Sequence, residues 1–141
     1  MDHEGGCHCG NLTLTLRLTK PPADNPTRSC ACSFCRGHAT RTTSDPRGQA
    51  DIRARDRTAV ERYRFSSHTA DYLICKICGI YIGAICDTAA GTRMVTNVNC
   101  LADRAEFPAA SSFPNHDHET TAARIARRTA NWTPAVLRGL G

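Results

Sequence analysis

The sequence predicts a mainly β domain of short antiparallel strands with a short C-terminal helix, tied together by metal. Three observations point there. Asn11 to Thr19 alternates strictly between apolar and polar residues, several further short apolar segments are separated by turn residues, and seven cysteines fall into three tight clusters.

Leu12, Leu14, Leu16 and Leu18 share one face of the first segment and Thr13, Thr15, Arg17 and Thr19 the other, the pattern of a half-buried strand. Lys20 to Pro26 carries three prolines and an Asp-Asn pair, so it reads as a loop. The remaining strand segments are Ala50 to Arg53, Val60 to Phe65, Asp71 to Cys75, Ile80 to Cys86 and Arg93 to Cys100. From Ala109 the chain becomes polar and His-rich, and Glu119 to Asn131 has helix-forming composition. Ala122, Ile125, Thr129 and Trp132 fall on one face, which is expected to pack on the sheet. Arg124, Arg127 and Arg128 beside them read as a solvated face.

At 141 residues the chain is the size of one domain, spanning 1–141. With 40% apolar and 22% charged residues it is neither disordered nor a membrane protein in composition, and no apolar run approaches the roughly 20 residues that span a bilayer. Met1 to Gly6 is polar, unlike a secretory leader, so a cytoplasmic location is expected. In that compartment thiols stay reduced, and close cysteine spacing means metal rather than disulfides. The formal charge of +5 counts the cysteines as neutral. Seven thiolates with two Zn²⁺ bring it to about +2, which argues against a nucleic-acid partner.

The clusters are Cys7-His8-Cys9-Gly10, Cys30-Ala31-Cys32-Ser33-Phe34-Cys35 and Cys75-Lys76-Ile77-Cys78-Gly79. The first and third each end in glycine, which takes positive φ and lets backbone N–H groups face thiolates. Together Cys7, Cys9, Cys75 and Cys78 make a closed structural Cys₄ site. The middle cluster lacks that glycine, and Cys30, Cys32 and Cys35 can fill three corners of a tetrahedron with the fourth open to chemistry. Alternatively Cys86, Cys100 or His38 closes it.

The order CHCG, CxCxxCR and CxxCG followed by Tyr81 resembles the glutathione-dependent formaldehyde-activating family, whose relatives include a centromere-associated protein. The resemblance runs from Cys7 to about Asn99. It implies an Mss4-like β-tent with two zinc ions, one structural on Cys7, Cys9, Cys75 and Cys78 and one catalytic on Cys30, Cys32 and Cys35. The activity it implies is that of a carbon–sulfur lyase joining or splitting a thiol and an aldehyde as an S-hydroxyalkyl adduct. The partner is then a small-molecule thiol or its adduct, of glutathione type, and the substrate sulfur is the fourth zinc ligand. His38, His68 and Tyr81 are the candidates for moving the hydroxyl proton, and Arg36 and Arg41 for holding a substrate carboxylate. The alternative is a non-catalytic zinc module that binds chromatin or protein.

Overall fold

Leu12, Leu14, Leu16 and Leu18 are each no more than 2% exposed, and this single row fixes where the core lies. In the computed structural model, which describes residues 1–140, the first three stand on strand β2 (Leu12–Arg17) and Leu18 follows it. Ile52, Leu73, Ile82, Met94, Val98 and Leu101 close over the row, each leucine contributing roughly 1.5–3 kcal/mol through burial.

β2 pairs antiparallel with β1 (Asp2–Gly6) on one side and with β5 (Gln49–Ala54) on the other. A meander of β6 (Val60–Tyr63), β7 (Asp71–Cys75), β8 (Tyr81–Thr88) and β9 (Gly91–Asn97) forms the second part of the sheet. Beyond β9 lie the short strands β4 (Thr42–Thr43), β3 (Thr27–Arg28) and β10 (Ala110–Ser112). One strand joins the two parts. Thr133 and Pro134 of β11 (Thr133–Arg138) pair with β9, and Ala135 to Arg138 then run parallel to β5.

The result is an eleven-stranded mixed sheet, which confirms a mainly β fold and corrects the expectation of wholly antiparallel pairing. Both parallel pairs, β11 with β5 and β10 with β3, join segments some eighty residues apart in sequence, a separation that strand patterns do not encode. The expected strand from Arg93 to Cys100 stops at Asn97, whose side chain accepts the Asn99 amide at 3.3 Å and starts a 3₁₀ turn. The expected helix is present as α2 (Thr121–Asn131), capped by Thr120 Oγ1 accepting from the Ala123 amide at 3.1 Å. It is followed by β11, so it is not the last element.

The face that α2 turns inward also differs from the expected one. Ala122 is exposed and Ile125 half-buried, whereas Arg124 and Arg128 are 8% and 6% exposed. Arg124 and Arg128 are four residues apart and share a face. Beneath that face lies a small satellite core of Ala70, Ala84, Cys86, Val95 and Trp132, and beside it a cavity rather than dry packing. Long guanidinium side chains suit such a boundary, where apolar stems cover the core edge and charged heads meet the hollow.

Candidate metal centres and the adjoining cavity

Cys7 and Cys9 sit in the turn after β1, Cys75 ends β7, and Cys78 lies in the turn from β7 to β8. The four sulfurs lie within 4.8 Å of one another. Cys7 Sγ to Cys9 Sγ is 3.7 Å and Cys9 Sγ to Cys75 Sγ 3.5 Å. A tetrahedral thiolate site with metal–sulfur bonds of about 2.3 Å has sulfur–sulfur edges of about 3.8 Å, so the spacing fits. Gly10 and Gly79 have φ of +87° and +80°. They bend the chain as expected, but the amides that reach sulfur are those one residue further on, Asn11 toward Cys9 and Ile80 toward Cys78. The Leu12 amide adds a bond to Cys7 Sγ at 3.2 Å.

The middle cluster is built differently. Cys32 caps a short helix, α1 (Ser33–Gly37), its sulfur accepting from the Cys35 amide at 3.4 Å, and Cys30 precedes it on the strand side. Cys30, Cys32 and Cys35 come within the same 4.8 Å, with no fourth ligand among the described residues. Cys86 lies in the satellite core, Cys100 Sγ contacts the Asn97 carbonyl at 3.0 Å, and His38 points elsewhere, so none of the three closes the cluster. All nine cysteines are free thiols. A hydrogen bond from the Cys35 thiol holds Cys30 down at about 5, and the same bond with burial pushes Cys35 up. Such sharing of protons is what neighbouring sulfurs do until a cation lets all of them ionise. Both groups could therefore hold a metal ion.

The three sulfurs open onto a cavity of about 420 Å³. Its floor is Tyr72, Tyr81 and Val95 of β7 to β9, and α2 closes the far side with Arg124, Arg127, Arg128 and the adjoining Trp132. Arg28 and Arg36 stand on the cluster side, and Asn115, His116 and Asp117 on the loop before α2.

The expected site residues divide by position. Tyr81 is 3% exposed and lines the cavity, its ring edge-on to Phe34 at 5.1 Å. Burial, reinforced by Tyr72, raises its phenol well above the ordinary range, so it can donate a hydrogen bond but cannot serve as a base near neutrality. Arg36 is at the rim. His38 lines a second hollow of about 460 Å³ with His8, Asn99 and Arg104, on the other side of Tyr81, and its Nδ1 lies 3.0 Å from the Phe34 carbonyl. His68 is exposed in the loop between β6 and β7 and does not line the cavity, although Ser66 and Ser67 do.

Arg41 is turned away and acts as a strut. Its guanidinium donates to the carbonyls of Phe107 at 3.1 Å, Pro108 at 3.0 Å and Arg104 at 2.9 Å, and to Asn99 Oδ1 at 3.3 Å. Four acceptors leave it no role for a carboxylate in the cavity.

Several cavity residues were not foreseen. His116, in the His-rich stretch, is held below the ordinary histidine range by burial and then by Arg127, so its imidazole is neutral near pH 7. Arg124 and Arg128 were expected in solvent. Only their spacing of four, which places them over one spot, could have signalled a shared target.

No protein-family model matches the chain. Among solved structures, a Rhodobacter sphaeroides protein, a Northeast Structural Genomics target determined by crystallography, has a similar fold. The TM-score is 0.52 at 28% sequence identity, over 74% of this chain and 97% of that one.

Proposed function

We propose that the protein is a zinc-dependent carbon–sulfur lyase that splits or forms a thiol–aldehyde adduct of the S-hydroxyalkyl, glutathione type, or a related thioether. The observation that carries this reading is the three-sulfur cluster of Cys30, Cys32 and Cys35 opening directly onto a cavity lined by proton-carrying side chains. The resemblance of the cysteine clusters to the formaldehyde-activating family supports it, as does a mainly β framework suited to the Mss4-like tent that the family implies.

Cys7, Cys9, Cys75 and Cys78 would hold a structural zinc and Cys30, Cys32 and Cys35 a second one. A zinc ion on three thiolates keeps a fourth position, lowers the pKa of a thiol placed there and stabilises a departing thiolate. The residues around it supply the rest. As the C–S bond breaks, its electron pair goes to sulfur, the hydroxyl oxygen becomes the aldehyde carbonyl, and the hydroxyl proton passes to a base. Neutral His116 is the cavity's acceptor for that proton. The phenols of Tyr72 and Tyr81, both kept protonated by burial, can donate to the oxygen. Phe65 lines this end, and behind it Phe34 stacks on Phe65 and Tyr63 and meets Tyr72 edge-on, so the wall here is aromatic.

The test is Cys32→Ser in the zinc-loaded protein, assayed for metal content and for adduct turnover. One zinc lost together with all turnover is the expected result. One zinc lost with turnover intact would remove the reading.

A further inference from the structure

The donors that face sulfur differ between the two cysteine groups. Around Cys7, Cys9 and Cys78 they are the backbone amides of Leu12, Asn11 and Ile80. At Cys35 a side chain takes that place. The bond with Cys30 and burial push the Cys35 thiol up, and the Thr40 hydroxyl beside it pulls the other way.

Thr40 is set there by the end of α1. The Ala39 amide donates to the Arg36 carbonyl at 3.2 Å and the Thr40 amide to the Cys35 carbonyl at 3.1 Å, the paired bonds of a Schellman turn. Ala39 stands where glycine is usual, with φ of +50°. Asn99 Nδ2 donates to the Ala39 carbonyl at 3.0 Å, and Ser29 Oγ to the Thr40 carbonyl at 2.6 Å. The turn is thereby tied to the residue before Cys30, and a left-handed alanine is held in place by its surroundings.

What this turn delivers is a buried hydroxyl. Thr40 is 2% exposed, and its Oγ1 is sealed from water with no partner in hydrogen-bonding geometry among the described residues. A buried donor in that condition is destabilising unless an acceptor forms beside it. A thiol is a weak acceptor, whereas hydrogen bonds to an ionised group are roughly twice as strong as neutral ones.

We propose that Thr40 is a positioning residue of the three-cysteine cluster, its hydroxyl donating to the Cys35 thiolate once a metal ion is bound there. Held in this way, Cys35 gives part of its charge to the hydroxyl, which leaves the bound ion a stronger Lewis acid toward a fourth ligand. Such a role rests on the second zinc of the proposed function and not on the reaction.

The test is chelator competition on the two-zinc protein, with the cobalt-loaded form read by its sulfur-to-metal charge-transfer band. Thr40→Val keeps the shape and removes the donor. It should weaken one zinc by about tenfold or more and leave the other as in wild type, while Thr40→Ser stays within about threefold of wild type. The charge-transfer band gained with the second equivalent of cobalt should move to longer wavelength in Thr40→Val and return in Thr40→Ser, because a thiolate without its hydrogen bond gives up charge more easily. Thr40→Ala gives the same loss should Thr40→Val not fold. Two zinc ions held as tightly in Thr40→Val as in wild type, with the band unmoved, overturn the inference. So does a Thr40→Ser variant as weak as Thr40→Val, or both zinc ions weakened alike, because Thr40 would then serve the fold. Zinc affinity that depends on Thr40 in a wild-type protein without adduct turnover upholds the contact and removes the lyase reading.

Discussion

Cys32 and Cys75 are both ligand-spaced sulfurs, yet their replacement should have opposite consequences. Cys75 is fully buried and belongs to the main core, between a turn from the start of the chain and one from its middle. Cys75→Ser should lower the thermal midpoint by at least ten degrees or prevent folding, because metal binding at such a site is folding energy. Cys32 is half-exposed at the edge of the cavity. Cys32→Ser should keep a midpoint within a few degrees of wild type while abolishing turnover, and differential scanning calorimetry with metal analysis separates the two. His116 makes a further case at this scale. His116→Asn should lower kcat about 10²-fold with two zinc ions retained. The sign of the wild-type pH profile follows from the shift. The neutral imidazole is the working form and its pKa is lowered, so kcat/KM should fall in acid with a midpoint below the ordinary histidine value of about 6.5. A limb centred above 7 would remove His116 from the role.

At the scale of elements, α2 is where sequence and structure part most instructively. Its existence and span were legible from composition, and Thr120 is a cap of a preferred type. Its inward face was not legible, because periodicity assigns apolar residues to the core and arginines to water unless tertiary structure places a cavity under them. The same limit explains the missed strands. β1 reads Asp-His-Glu-Gly-Gly and β11 contains a proline, and both are strands because of their partners rather than their own pattern. The cysteine clusters, by contrast, carry local spacing signals and were read as the structure arranges them, down to the glycines with positive φ, although one group joins clusters 66 residues apart. Site residues followed the same rule. Of the three candidates for moving the hydroxyl proton, Tyr81 lines the cavity, whereas His38 and His68 lie outside it, because their residue type marks them as proton carriers but not where the fold puts them. Thr120→Ala should cost about 1 kcal/mol in chemical denaturation. Because α2 carries Arg124 and Arg128, it should also raise KM more than it lowers kcat.

Across the whole molecule, Asp45 acts as a clasp. Its carboxylate accepts from the Thr19 amide at 2.8 Å, the Thr19 hydroxyl at 2.6 Å and the Arg47 amide at 2.9 Å, and its own amide donates to Thr133 Oγ1 at 2.8 Å. The end of β2, the segment after β4 and the start of β11 thus meet at one residue. Burial pushes this carboxyl up, but the hydrogen bonds outweigh burial and hold it below the usual carboxylate range. A depressed folded-state pKa contributes stability that is complete above about pH 4 and lost as the pH falls through the folded value. Asp45→Asn should cost about 1–3 kcal/mol at pH 7 in urea denaturation and flatten the decline of stability in acid. An unchanged acid limb would shift that decline to other carboxylates.

The placement of β11 between β5 and β9 also sets an order of assembly. During synthesis, β5 and β9 both leave the ribosome before the strand that will fill the gap between them, and α2 must emerge first. Until then each presents an unpaired edge, open to another chain. The nascent protein therefore passes through an interval in which its hydrophobic halves exist but cannot close. Its yield in a cell should depend on how long that interval lasts and on what shields the open edges meanwhile.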